Sequence, residues 1–293
     1  MKIIVFGGAG FLGSYVADTL TDQGHEVTIY DLKESIYLKD GQKVIIGDIL
    51  DSEKVRSAIE GKDIVYNFAG VADIAESGDD PKKTIITNVE GSINILEACR
   101  KGKVKRYIFA STIYVYSDSG SFYRASKQSC ELFIESYQKE YGIDFTILRY
   151  GSLYGPRSDE TNWIQHVIKA ALNDGKIVRK GDGEEIREYI HVKDAALLTV
   201  KMMDEEYKNQ YAVITGQQTM KIKDVLTLIN EIMGNKLKIK FVKEGNEGHY
   251  EITPYSFKPK FAKKITSNSF VDFGQGILEL LDLEYKKGNP HQQ

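Results

Sequence analysis

Residues 1–13 read MKIIVFGGAGFLG, and this stretch decides the fold. The apolar run Lys2–Phe6 stops at Gly7, as a short strand buried on both faces does. Helical spacing of apolar residues begins at Phe11 and continues to about residue 23. The turn between them carries Gly7, Gly10 and Gly13. In a strand–turn–helix unit the first glycine permits the sharp turn. The second lets the backbone approach a ligand, and the third lets the helix pack close to the strand. The helix start, at Phe11 and Leu12, offers unpaired N–H groups and the positive end of the helix dipole. A pyrophosphate group suits that turn, and a dinucleotide supplies one.

The strand–helix alternation then repeats. Strands are expected at 26–30, 43–47, 63–67, 106–110 and 144–149, with helices at 51–60, from Pro81 to about 101, and at 122–141. Repeated βα units take right-handed crossovers and give a parallel sheet covered on both faces. The expected class is therefore α/β, a doubly wound parallel sheet with its ligand crevice at the carboxyl ends of the strands. Beyond Gly151 the pattern turns irregular. Helices are expected at 161–173, from 192, at 221–233 and at 274–283, with strands at 177–179 and 211–214. A polar stretch at 245–264 contains Pro254 and Pro259 and reads as a loop near the cleft. The division that follows is a dinucleotide-binding domain at 1–150 and a smaller α/β lobe at 151–293. That lobe mainly binds substrate, with some segments returning to the main sheet.

Bulk composition narrows the function classes. The 293 residues are 42% hydrophobic and 28% charged, with a formal net charge of −3, which gives no footing for nucleic acid or an acidic membrane. No apolar run approaches the roughly 18 residues of a membrane span, and no signal peptide is evident, so a cytoplasmic location is expected. Cys99 and Cys130 fall in helical segments and read as buried thiols, and no Cys/His cluster calls for a metal.

Asp31 ends the second strand about 20 residues beyond the glycines, where an acid hydrogen-bonds the adenosine ribose and repels a 2′-phosphate. NAD is thus favoured over NADP. Asp48 and Ile49 follow the third strand, where the aspartate is placed to meet the adenine amino group. Phe68, Ala69 and Gly70 form a small turn after the fourth strand, against which the cofactor can lie.

Thr112 ends the fifth strand, and Tyr123 and Lys127 stand at i and i+4 on the next helix, facing one side. A phenol loses its proton near pH 10. A nearby ammonium and a cationic nicotinamide ring favour the phenolate, so Tyr123 is expected to accept an alcohol proton while hydride leaves the same carbon. Thr112 would bond the alcohol oxygen and Lys127 the nicotinamide ribose.

With these pieces in order, the chain resembles an extended short-chain dehydrogenase/reductase of the nucleotide-sugar epimerase and dehydratase type, with a Rossmann fold. The matching motifs are GGAGFLG, NFAG, TNVEGSINILEAC, STIYVYS, YRASK, LRYGSLYGPR and GDGEEIREYIHVKD, together spanning about two thirds of the chain. The resemblance implies that Thr112, Tyr123 and Lys127 are the catalytic triad. It implies that Asn88 and Tyr150 lie at the cofactor site and that Arg187 binds the substrate diphosphate, as a guanidinium fork does well. Ser152 stands where many relatives contact substrate through Asn. The substrate implied is a nucleotide-diphosphate sugar, and the assembly implied is a homodimer through the segments at 81–101 and 122–141.

Several reactions share this core. Dehydratases of the family carry an Asp-Glu acid–base pair directly after the catalytic Thr, and here Ile113 and Tyr114 occupy those positions. A 4-ketoreductase often uses NADP, against which Asp31 argues. A 4-epimerase needs only the triad, NAD and room for the keto sugar to turn, and is the reading preferred. One-way oxidation remains an alternative. A non-catalytic NAD sensor is a further one, disfavoured because both Tyr123 and Lys127 are present. His249 and Tyr250 lie in the C-terminal loop and could reach the sugar, with an exposed polar loop the preferred reading.

Overall fold

The computed structural model describes residues 1–217, 219–242, 249–252 and 254. Seven parallel strands form the main sheet: β1 (Lys2–Phe6), β2 (Glu26–Asp31), β3 (Lys43–Ile46), β4 (Ile64–Asn67), β5 (Arg106–Thr112), β6 (Phe145–Tyr150) and, from the second half of the chain, β10 (Gln210–Ile214). Their order across the sheet is β10-β6-β5-β4-β1-β2-β3. The doubly wound α/β sheet expected from the sequence is the observed architecture.

Each face of the sheet carries its own apolar cluster. Ile3 and Val5 of β1 point to one face, with Ile29, Ile108, Leu148 and Tyr150, and are covered by α1 (Phe11–Asp22) and α8 (Val192–Lys201). Ile4 and Phe6 point to the other, with Val65, Tyr107, Phe109 and Ile147, under α2 (Ser52–Ile59), α5 (Gly91–Gly102) and α6 (Ser121–Tyr141). Alternation along a strand buried on both sides produces this division, and it explains why β1 reads as an unbroken apolar run.

Helix boundaries follow local chemistry. Asp51 caps α2 by accepting from the Lys54 N–H at 3.0 Å. Asp73 caps a short helix absent from the sequence reading, α3 (Ile74–Asp79). Asp80 caps α4 (Pro81–Ile85), with Pro81 where its missing N–H is harmless. The helix expected from Pro81 to about 101 is not uniform. A wide π turn, Ile86–Glu90, separates α4 from α5 and carries Asn88.

Beyond β6 the chain builds smaller sheets. β7 (Ser152–Tyr154) runs parallel to β9 (Ile186–His191), which pairs antiparallel with β11 (Thr219–Lys221). β8 (Lys176–Lys180) runs parallel to β12 (Lys238–Val242). Val167 and Ala171 of α7 (Trp163–Asp174), Ile222 and Leu226 of α9 (Ile222–Ile232) and Ile177 form their core. Four of these strands were missed in sequence, because each is short and its partner lies far along the chain. The helix expected at 274–283 and most of the loop expected at 245–264 lie outside the described residues.

Candidate active site

Sheet register brings the first group of candidates together. Phe6 pairs with both Tyr30 and Asn67, so Gly7, Asp31 and Phe68 emerge side by side where β1, β2 and β4 end. Gly7 has φ +74°, a left-handed conformation that glycine adopts without cost. A Cβ on Gly13 would stand 2.2 Å from the Gly7 carbonyl oxygen, so helix and turn touch through backbone alone. No side chain caps α1 at Gly10, so the first-turn N–H groups of Phe11, Leu12 and Gly13 face outward as an anion cradle. One Asp31 carboxylate oxygen accepts from the Ala9 N–H at 3.0 Å, which ties the acid to the turn.

The remaining nucleotide-side candidates divide. Asp48 is exposed, and its Oδ1 accepts from the Leu50 N–H at 2.9 Å. Ala69 donates its N–H to the Asn67 side chain at 3.1 Å, and Gly70, at φ +145°, leads out of the strand end. Phe68 lies half-buried, stacked on Tyr66. Ile49 and Tyr150 are not brought to this surface. Ile49 packs in the core against Gly91, and Tyr150 is 6% exposed with its hydroxyl bonded to Thr199 Oγ1 at 2.7 Å. Tyr150 pairs with Thr112 and shares its face of the sheet, but its ring is packed into the cluster under α1 and α8. Asn88 is also turned in. Its amide accepts from the Val71 N–H at 2.7 Å and donates to Val71 O and Ser126 Oγ, both at 2.9 Å. It clamps the loop after β4 to α6.

Across the strand ends, Thr112, Tyr123 and Lys127 converge. Thr112 Oγ1 accepts from the Tyr114 N–H at 3.2 Å, and the Thr112 side chain also hydrogen-bonds Tyr123. Lys127 is 5% exposed and donates to Ala110 O at 2.8 Å. Its Nζ lies 4.8 Å from the Phe109 ring centroid and 5.9 Å from that of Tyr123. Burial lowers the Lys127 pKa, opposed by Cys130 and Glu131. Burial also pushes the Tyr123 phenol up to about 12, with the Thr112 bond acting the other way. The depressed phenol expected from sequence is thus not a property of the cofactor-free site. The ammonium is directed at a carbonyl instead of the phenol oxygen.

A buried ion pair underlies this arrangement. Glu131 of α6 accepts from Arg149 Nη2 at 2.6 Å and from Nε at 3.0 Å, and it also accepts from Ser111 of β5. Arg149 Nη1 donates to Tyr116 OH at 2.6 Å. The arginine ends an apolar strand, FTILRY, which is the one sequence signal that this network left. It fixes α6 against the ends of β5 and β6, and so fixes Tyr123 and Lys127 relative to Thr112.

The far wall comes from the smaller sheets and a late segment. Arg187 on β9 is 6% exposed; its guanidinium donates to Ile186 O at 2.9 Å and lies 4.1 Å from the Tyr250 ring centroid. Tyr250 packs 4.7 Å from Tyr114, centroid to centroid, and Tyr114 meets Tyr123 edge-on at 6.5 Å. The Tyr114 hydroxyl is 2.7 Å from His249 Nδ1. His249 is exposed, as its loop position suggested, whereas Tyr250 is buried, and both pack on Tyr114. No spacing or motif connects residue 114 with residue 249, so their contact left no signal in the sequence. Ser152 lies half-buried on β7, paired with Tyr189 of β9. Among the described residues no group of three or more His, Cys, Asp or Glu could hold a metal ion.

Residues 3–214 match the sequence profile of the NAD dependent epimerase/dehydratase family. The chain belongs to this family. It is accordingly an NAD-dependent enzyme, with the extended short-chain dehydrogenase/reductase character that its motifs indicated. A UDP-N-acetyl-alpha-D-glucosaminuronate decarboxylase of Bacillus cytotoxicus is 30% identical over 264 residues, 81% of this chain and 82% of the relative. The UDP-glucose 4-epimerase of Thermotoga maritima, solved with UDP-glucose, superposes with a TM-score of 0.81 at 26% identity, covering 88% of this chain and 90% of that one. The Thermus thermophilus UDP-glucose 4-epimerase, solved with NAD, gives 0.79 at 26% identity over 87% and 90%. The family's cofactor fits the residues present. A glycine-rich turn, uncapped N–H groups and a strand-end acid meet the needs of a pyrophosphate and a ribose.

Proposed function

We propose that this enzyme is a nucleotide-sugar 4-epimerase acting on a UDP-sugar. One observation carries the reading: Thr112, Tyr123 and Lys127 converge beside a dinucleotide cradle, with a buried arginine on the far wall. In this reading Phe11, Leu12 and Gly13 hold the pyrophosphate and Asp31 the adenosine ribose, while Lys127 bonds the nicotinamide ribose. Arg187 takes the substrate diphosphate in its guanidinium fork. Thr112 hydrogen-bonds the sugar C4 hydroxyl, and Tyr123 accepts its proton. Bound NAD would accept the C4 hydride and, once reduced, give it back to the turned ketone, and its oxidised ring would put a positive charge beside the phenol. The ketone then turns within the cleft, and Tyr123 returns the proton to the C4 oxygen with the other face exposed.

Three things support the reading: the family, the epimerase neighbours and the complete triad. The reading also places the enzyme in the cytoplasm as a homodimer, with the exposed Leu132 and Phe133 of α6 at the subunit contact. No helix among the described residues is long and apolar enough to cross a membrane. A monomeric mass by light scattering would count against the dimer.

The test is to identify the cofactor retained on purification and then to supply UDP-, GDP-, CDP- and dTDP-sugars. C4 inversion without net NADH is expected. Stoichiometric NADH or a released ketone would replace the epimerase reading with a dehydrogenase.

A further inference from the structure

The motif LRYGSLYGPR runs through β7 and ends in Arg157, a residue that neither the triad nor the diphosphate contact uses. Its backbone takes φ +71°, a left-handed conformation that a long side chain rarely adopts and that persists where the surroundings fix it. The side chain reaches back to the first half of the chain. Its Nη2 lies 2.8 Å from an Asp18 carboxylate oxygen on α1, and both side chains are largely buried. The guanidinium carbon lies 4.2 Å from the ring centroid of Tyr15, also on α1, and 4.5 Å from that of Tyr37. Tyr15 and Asp18 follow Phe11 by four and seven residues, so they continue the helix face that starts at the anion cradle.

Tyr37 belongs to the connection between β2 and β3, which leaves the strand ends directly after Asp31. That connection opens with Leu32 and carries Ile36, 70% and 86% exposed. Open apolar side chains beside a ribose-binding acid suit the flat face of an adenine. The far end is fastened by Gln42, whose amide donates to the same Asp18 at 3.2 Å and to Thr21 Oγ1 at 3.0 Å. In the middle, Lys39 pairs with Asp22 in solvent, which holds little. The Tyr37 ring on the largely buried guanidinium holds more, because a cation on a ring gains most when water is excluded. Arg157 is itself too enclosed to receive a phosphate. Asp18 takes one end of it, two rings flank it, and Nη1 is buried with no hydrogen-bond partner among the described residues.

We infer that Arg157 is a positioning residue that holds the 32–42 connection over the adenosine half of the dinucleotide, acting through Tyr37, and so sets how long NAD stays bound. The inference rests on the proposed contact of Asp31 with the adenosine ribose. It gives Arg157 no part in hydride or proton transfer. A reaction that reduces and reoxidises its NAD within one turnover needs the cofactor kept through both steps. Here the hold comes from the segment that follows β7, on the substrate side of the chain.

The NAD-loaded enzyme is mixed with excess deuterium-labelled NAD, and mass spectrometry follows exchange of the bound cofactor. Arg157→Ala and Tyr37→Ser are each expected to exchange about tenfold faster than wild type, as when the held position of the connection falls to about a tenth of its population. Tyr37→Phe keeps the ring and is expected to exchange within about twofold of wild type. The double variant Arg157→Ala, Tyr37→Ser should be no faster than either single one, because both remove the same contact. Circular dichroism verifies the fold of each variant, and if Arg157→Ala fails to fold, Tyr37→Ser decides. Folded variants that exchange NAD at the wild-type rate overturn the inference, as does a double variant about 100-fold faster than wild type. Asp31→Asn, run alongside, tests the ribose contact. Faster exchange in Asp31→Asn but not in Arg157→Ala or Tyr37→Ser refutes the role of Arg157 alone. Faster exchange in Arg157→Ala and Tyr37→Ser but not in Asp31→Asn refutes the ribose contact alone. No sugar enters the measurement, so it stands apart from the reaction at C4.

Discussion

The proposed nucleotide side and the proposed sugar side of this site are built in different ways. The nucleotide side is made mostly of backbone: a turn bare at Gly7, Gly8, Gly10 and Gly13, uncapped N–H groups, and strand ends set in register by β1, β2 and β4. The sugar side is made of side chains, carried by β5, α6, β9 and a segment at 249–250. Backbone sites depend on local sequence and tolerate little. Side-chain sites depend on contacts between distant segments, and their chemistry can vary while the frame stays.

The comparison can be broken or sharpened by substitution. The largest effect is expected on the sugar side. Tyr123→Phe should lower turnover of a UDP-sugar by about 10³-fold, the range of a lost general acid or base, without loss of retained NAD. Full turnover in this variant would remove the triad assignment. Next comes the ion pair beneath that wall. Glu131→Ala leaves Arg149 buried without its carboxylate and should cost about 3 kcal/mol in denaturant unfolding. On the nucleotide side, Gly13→Ala drives a Cβ against a carbonyl and should cost about 2 kcal/mol, with retained NAD lost before the fold is. If Gly13→Ala keeps its cofactor, the backbone account of the cradle fails. A smaller effect, about tenfold, is expected from Asp31→Asn, as a shift of binding preference from NAD toward NADP in paired titrations.

The smallest effect is on pH. In the cofactor-free protein the Tyr123 phenol sits at about 12, against about 10 in an unfolded chain. The folded state holds that proton more tightly. Its contribution is therefore complete below pH 10 and is lost as pH rises toward and through 12. Melting curves of cofactor-stripped protein between pH 10 and 12 should fall less steeply in Tyr123→Phe than in wild type. Equal slopes would show that the phenol is not held in this way.

The same contrast explains what was legible in the sequence. The glycine turn, Asp31 and the alternating βα units are local patterns, and sheet and cradle followed from them. Thr112, Tyr123 and Lys127 were legible because one strand and the next helix carry all three. Ile49 and Tyr150 were placed by motif position, and core packing buries the side chains of both. Asn88 was read as a neighbour of the cofactor. The π turn instead spends its amide on Val71 and Ser126. The Tyr114–His249 contact was illegible for a different reason. The two residues lie 135 positions apart, and contact at that separation leaves no periodic trace.

That separation bears on how such an enzyme changes over time. Tyr114 is anchored in the turn that ends β5, one residue beyond Ile113 in the core, and cannot move without disturbing the redox machinery. His249 belongs to a short described segment late in the chain, and among the described residues no strand of the main sheet lies beyond Ile214. Substitution at 249 changes what Tyr114 touches and leaves the strand ends that carry Thr112 in place. One scaffold can thus vary one wall of its cleft from late in the chain while the frame stays.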